Sequence, residues 1–290
     1  MFNSIAQLID MANSENKSIS EIMMEQEMRV SKRSYLEVYQ DMERNLDVMQ
    51  NAVDEGIGGV ASKTGLTGHD AVKMKKYIES GKGLSGDMNL LAIAYAVSTN
   101  EVNAAMGKIC ATPTAGSAGV VPGVLFALNE QRELTKEDMV RFLFVSGAFG
   151  FVVANNASIS GAAGGCQAEV GSASAMAAAS LVEAAGGTPE QSGHAFAIAL
   201  KNMLGLVCDP VAGLVEVPCV KRNAAGASNA LTAADMALAG IESRIPADEV
   251  VEAMYKIGLT MPSALRETGR GGLAATPTGN RLMQEIFGEE

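Results

Sequence analysis

From Phe142 to Ala168 the chain carries no charged side chain. Such a run is longer than the roughly 20 residues a bilayer helix needs, so it has two readings: a membrane span, or core elements of a helical protein that are apolar all round. Its contents favour the second. Gly147, Gly150, Asn155, Asn156, Ser158, Ser160, Gly161, Gly164 and Gly165 interrupt it with helix-breaking and polar groups that lipid leaves unsatisfied. Ile109 to Asn129 is equally free of charge and contains Pro113 and Pro122. A chain with two such segments has to wrap its other elements around them.

Those other elements announce themselves by their starts. FNSIAQLIDMANSENK has an amphipathic helical pattern. Ser18 with Glu21 makes a capping box, followed by Ile22, Met23 and Met24 and a charged helical stretch through Met49. The glycines between Gly56 and Gly68 predict a loop carrying Lys63, Thr64, Thr67 and His69, on irregular backbone where function concentrates. Helices are expected from about Asp70 to Ser80 and from Asp87 to Gly107. Pro113 forbids one unbroken helix through CATPTAGSAGVVPG. Thr135 with Asp138, Thr188 with Gln191, and Pro246 ahead of Asp248 and Glu249 open later helices. Val211 to Val217 lacks the alternation of a strand. The fold class expected is all-α, a single helical domain over residues 1–290 with residues 1–55 as an N-terminal helical layer.

Charge narrows the partners. Lys and Arg number 22 against 33 Asp and Glu, a net charge of −11 that argues against binding a nucleic-acid backbone. The four cysteines are too few for a secreted disulfide framework, and no charged-then-apolar signal segment opens the sequence, so a cytoplasmic protein with no membrane span is expected.

The cysteines themselves are concentrated. Gly205 to Gly226, GLVCDPVAGLVEVPCVKRNAAG, holds Cys208 and Cys219, each within two residues of a proline, and ends near Lys221 and Arg222; Cys166 lies upstream. Thiols on Pro- and Gly-punctuated loops, with free backbone N–H groups beside them, have the makings of a soft-metal ligand set. Their separations of 42 and 11 positions match neither zinc C-x₂-C pairs nor ferredoxin runs. Inert buried cysteines therefore stay open as an alternative. Cys110 is open too, as a fourth ligand, a pocket wall or neither. Ala111-Thr-Pro-Thr114 recurs as Ala275-Thr-Pro-Thr278, either by chance or as two small anion-holding segments.

NASISGAAGGCQAEVGSASAMAAA, LGLVCDPVAGLVEVPCVKRNAA and RETGRGGLAATPTG together resemble the α chain of the bacterial iron-sulfur-dependent L-serine dehydratases, and the likeness runs from about residue 60 to residue 280. The resemblance implies that Cys166, Cys208 and Cys219 hold a [4Fe-4S] cluster, that residues 56–290 form the cluster and substrate-binding core, and that a separate β subunit of regulatory type accompanies the chain. Single-chain relatives end in a cysteine that caps the resting cluster, whereas this sequence ends IFGEE. The implied reaction is elimination of water from L-serine to aminoacrylate, which yields pyruvate and ammonia, with the cluster as Lewis acid. No pyridoxal phosphate is required.

Candidate roles follow from what that elimination demands. A base must take the α-proton, and His69 in the Gly-rich loop is the first candidate, with Lys63 as competitor. His194, inside a capped helix, reads as structural. Arg266 and Arg270 offer bidentate donors for a carboxylate, a salt bridge to Glu267 being the alternative for the pair. Thr112, Thr114, Ser117, Ser158 and Ser160 are candidate lining groups for the amino and hydroxyl ends. Asp209 and Glu216 fit helix capping as well as catalysis. A related hydro-lyase acting on threonine or another small hydroxy acid, and a non-catalytic cluster or zinc protein, are the competing functions.

Overall fold

The computed structural model describes residues 1–288, and the final Glu289 and Glu290 of the IFGEE terminus lie outside the described residues. Its helices are α1 (Ile5–Glu15), α2 (Ile19–Ser31), α3 (Tyr35–Gly58), α4 (Asp70–Glu79), α5 (Asp87–Ala104), α6 (Val120–Arg132), α7 (Lys136–Asn156), α8 (Gly161–Gly164), α9 (Ser172–Ala184), α10 (Pro189–Asn202), α11 (Cys219–Leu238), α12 (Ala247–Thr260) and α13 (Pro277–Phe287). Among the described residues there is no strand, only the isolated bridges Ala61–Gly68 and Cys208–Arg266. The all-α expectation holds.

Local chemistry explains most of the boundaries. Capping boxes at Ser18, Thr135 and Thr188 start α2, α7 and α10 as the sequence predicts. The single helical stretch expected through Met49 is instead broken. Lys32 turns left-handed at φ 57°, and a second capping box, Ser34 with Glu37, starts α3. Helix α3 also runs further than the glycines predict, because Gly56 is helical and packs on α5. A Cβ there would come within 2.4 Å of the Ser98 carbonyl oxygen, so the glycine serves close approach rather than a turn.

At the centre lies α9, buried throughout from Ser172 to Val182 and packed by α6, α7, α10 and α11. Its Ala- and Ser-rich sequence lets neighbours approach closely, and its hydroxyls are satisfied: Ser174 donates to the Gly226 carbonyl at 2.8 Å and Ser180 to that of Met176 at 3.0 Å. The charge-free stretches of α6 and α7 are mostly buried, and Phe149 of α7 stacks on Phe196 of α10 at 5.1 Å. Each such buried aromatic contributes about 1.5–3 kcal/mol relative to exposure. Among the described residues no helix is long and apolar enough to cross a membrane. The helical parts of the two charge-free segments, Val120–Leu128 and most of Phe142–Val153, belong to the core.

Outer helices are tied to this core by carboxylates from other elements. Asp248 accepts from the N–H groups of Ile5 and Ala6 at the start of α1, Glu183 from those of Ile19 and Ser20 at α2, and Glu101 from those of Asp70 and Ala71 at α4. Each satisfies N–H donors that a helix start leaves free and sets negative charge against its dipole. Burial raises the Glu183 and Glu101 carboxyls above their usual range, against the lowering by these hydrogen bonds.

Candidate metal centre and substrate site

The three buried sulfurs lie at two helix starts and on one loop. Cys166 opens a single π-helical turn, Gln167–Gly171, that leads into α9. Gln167 fixes this turn: its side-chain nitrogen donates to the carbonyls of Gly164 and Met254, and its oxygen accepts from the Gly205 N–H. Cys208 lies in the connection between α10 and α11, where its N–H donates to the Leu265 carbonyl at 2.9 Å and its carbonyl accepts from the Glu267 N–H at 2.7 Å. This pairing brings the RETGRGG segment alongside the thiol. Cys219 is the first residue of α11. Two of the three sulfurs therefore sit at helix starts, where the dipole favours an anion.

All four cysteines are reduced, and Cys166, Cys208 and Cys219 are buried. Burial is the main influence on each, pushing the Cys166 thiol up to about 11 and Cys219 to about 12, with Cys208 raised further. Beyond burial, each pair within the trio interacts: charge on Cys166 raises both Cys208 and Cys219, and charge on Cys219 raises Cys208. Such a trio ionises readily only when a cation shares the site, which is the donor chemistry of a metal–thiolate centre. These residues fit an iron-sulfur cluster on that ground. Cys110 stands apart, with burial alone raising its thiol. Among the described residues no three His, Cys, Asp or Glu side chains close round a single metal ion.

Arg222 supplies the nearby positive charge. Its guanidinium pairs with Asp209 at 2.8 Å, donates to the Val207 carbonyl at 2.8 Å and lowers the Cys166 thiol against burial. Lys221, adjacent in sequence, instead pairs with Asp70 at 2.6 Å. Asp209 also accepts from the Leu273 N–H at 2.7 Å, and Glu216 accepts from the Thr64 hydroxyl, so both carboxylates serve to join loops.

The hydroxyl-rich loop lies against the same centre. Thr114 donates to Glu169 at 2.8 Å, and Ser117 donates to the Thr112 carbonyl at 3.0 Å. Asn223 ties this loop to the Cys219 turn by donating to the carbonyls of Gly116 at 2.8 Å and Cys219 at 2.9 Å. Ser160 precedes α8 and its N–H donates to the Ser158 hydroxyl at 3.2 Å. Gly161 follows, so close to the centre that a Cβ would lie 3.0 Å from the Cys208 sulfur. The second ATPT copy differs: Thr276 caps α13 with Pro277 at its first position, away from the loop role of the first.

The remaining candidates divide. Arg266 reaches the Ala163 carbonyl at 3.5 Å and leaves its buried Nε without a hydrogen-bond partner. Arg270 is exposed and has no ion-pair partner among the described residues. The loop of Lys63 and His69 is held to the Cys219 side of the centre by Thr64 with Glu216 and Asp70 with Lys221. His69 is left-handed at φ 59° at the start of α4, exposed, its ring against Gly59. His194 accepts from the Ser243 N–H at 3.4 Å, as a structural histidine should. Glu169 escaped the sequence reading, although it is the sole charge between Arg141 and Glu183. A cleft of about 380 Å³ beside the start of α5 is lined by none of these residues.

Three buried thiols thus lie on an all-helical scaffold with hydroxyls and arginines on the neighbouring segments. The chain belongs to the serine dehydratase alpha chain family, whose model matches residues 14–274. It is 69% identical over 288 residues to the probable L-serine dehydratase, alpha chain, of Bacillus subtilis (strain 168), covering 99% of this chain and 96% of that one. To the L-serine dehydratase, alpha chain, of Peptoniphilus asaccharolyticus it is 44% identical, covering 100% and 99%. An L-serine dehydratase of Escherichia coli (strain K12) is 39% identical over 94% of this chain, but the match spans 61% of that longer protein.

Proposed function

We propose that the chain is the catalytic α subunit of an iron-sulfur L-serine dehydratase, converting L-serine to pyruvate and ammonia. The observation that carries this reading is the burial of Cys166, Cys208 and Cys219, with Gly161 and Glu169 packed against the Cys208 sulfur, in a chain similar to proteins named L-serine dehydratase alpha chain. Those three thiolates are the proposed ligands of a [4Fe-4S] cluster. When bound, the cluster supplies a Lewis-acidic iron that polarises a hydroxyl leaving group.

The chain's own residues do the rest. Arg266, with a free buried donor beside the Cys208 loop, receives the serine carboxylate, assisted by Arg270. Thr112, Thr114, Ser117, Ser158 and Ser160 orient the amino and hydroxyl ends. His69 takes the α-proton, with Lys63 as the competing base. The hydroxyl departs with the proton that the base has taken, leaving as water and restoring the base, and the aminoacrylate product rearranges and hydrolyses to pyruvate and ammonia. Thiols that must stay reduced fit a cytoplasmic enzyme. The alpha-chain naming of the relatives supports a separate β subunit as partner.

Anaerobically purified protein, combined with its β chain, should release pyruvate from L-serine and lose that activity on exposure to air. Release equal from L-threonine or D-serine would contradict the substrate assignment, and a zinc-loaded chain inert towards all three would contradict the reading as a whole.

A further inference from the structure

The carboxyl group of Glu169 touches three segments that are distant in sequence and that all border the thiols. One oxygen accepts the Thr114 hydroxyl at 2.8 Å, the other lies 3.9 Å from the Cys208 sulfur, and the Gly161 backbone hydrogen-bonds to the same group. Two glycines bring backbone directly onto it. A Cβ at Gly161 would lie 2.5 Å from one oxygen and a Cβ at Gly116 3.3 Å from the other. At Gly161 nothing larger than hydrogen fits against the carboxyl group, and at Gly116 a Cβ would be tight.

The carrier of this group is equally constrained. Glu169 is 8% exposed and forms no ion pair among the described residues, an arrangement that costs stability and that a core alanine would avoid. It sits on the π-helical turn that begins at Cys166, and such turns concentrate at functional sites. Gln167 clamps that turn to Gly164, Gly205 and Met254. One short turn therefore offers a thiol at one end and, three residues on, a carboxyl group joined to a second thiol and to the hydroxyl loop.

We propose that Glu169 is a positioning residue that locks the Thr114–Ser117 turn and the Gly161 backbone, which packs against the Cys208 sulfur, to the Cys166 turn, so that the metal ligands and the substrate-facing hydroxyls keep one fixed geometry. This rests on the functional reading above. Ligand-orienting partners of this kind typically change metal affinity by about 10- to 100-fold when removed.

The test compares wild type, Glu169→Ala, Glu169→Gln, Thr114→Val and the double variants, purified anaerobically as the full chain with its β chain. Iron release to bipyridyl and KM for L-serine are measured, and circular dichroism confirms folding. Glu169→Ala should release iron about 10- to 100-fold faster. Glu169→Gln, which keeps an acceptor and a hydrogen-bonding arm, should recover most of that retention. Thr114→Val should raise KM in the wild-type background and add little to it in the Glu169→Ala background. Should Glu169→Ala fail to fold, the coupling of Glu169→Gln with Thr114→Val carries the test. Wild-type iron retention in Glu169→Ala, no recovery in Glu169→Gln, or additive effects on KM would overturn the proposal while leaving the functional reading intact. A wild-type chain without iron and sulfide would overturn both.

Discussion

Arg222 shows how much of this centre depends on single side chains. It was visible in sequence only as half of a basic pair, and nothing local indicates that Lys221 turns to Asp70 while Arg222 turns inward to Asp209. That division is set by which face of α11 meets the core. With the Arg222 and Asp209 side chains 18% and 4% exposed, Arg222→Ala strands a buried carboxylate and should cost about 3–5 kcal/mol in urea unfolding. The exposed pair of Lys256 with Glu252 sets the contrast, since Lys256→Ala should cost under about 1 kcal/mol. Equal losses would mean that Asp209 is rescued by solvent or another donor. Glu169 had a sequence signal in its isolation within an uncharged run, but its partners come from residues 114, 161 and 208, which no local pattern connects.

Helix beginnings were readable because capping chemistry is local, and Ser18, Thr135 and Thr188 all act as their spacing predicts. Ser34 with Glu37 carries the same signature, yet the continuous polar pattern around it masks the break that left-handed Lys32 imposes. The carboxylate ties of α1, α2 and α4 are illegible in sequence, because the acid and the helix it serves are far apart: Glu183 holds a start 164 residues away. Burial raises the Glu183 pKa above its ordinary 4.5, so between that pH and the folded value the native state keeps a proton that the unfolded chain has lost. Its stabilisation is accordingly lost as pH rises through the window. Glu183→Gln removes this titration while keeping an acceptor for Ile19. Urea unfolding from about pH 4 to about pH 8 should therefore show the variant gaining on the wild type as pH rises, then a constant difference. Parallel curves throughout would show that Glu183 titrates alike in both states.

The whole molecule places the uncharged stretches of α6, α7 and α9 inside, and the proposed site lies where segments around residues 114, 161 and 208 meet. The all-α class was readable from charge-free segments and helix starts. The centre was not, because 42- and 11-residue cysteine separations carry no motif of their own, and only the long resemblance connected them. In the structure Cys166, Cys208 and Cys219 are buried, while Cys110 is half-buried. The most direct measurement is iron and acid-labile sulfide per chain in anaerobically prepared wild type and the four single Cys→Ser variants. Wild type and Cys110→Ser should carry about four of each, while Cys166→Ser, Cys208→Ser and Cys219→Ser should lose most of both. A full complement in any one of those three, or its loss in Cys110→Ser alone, would contradict the account.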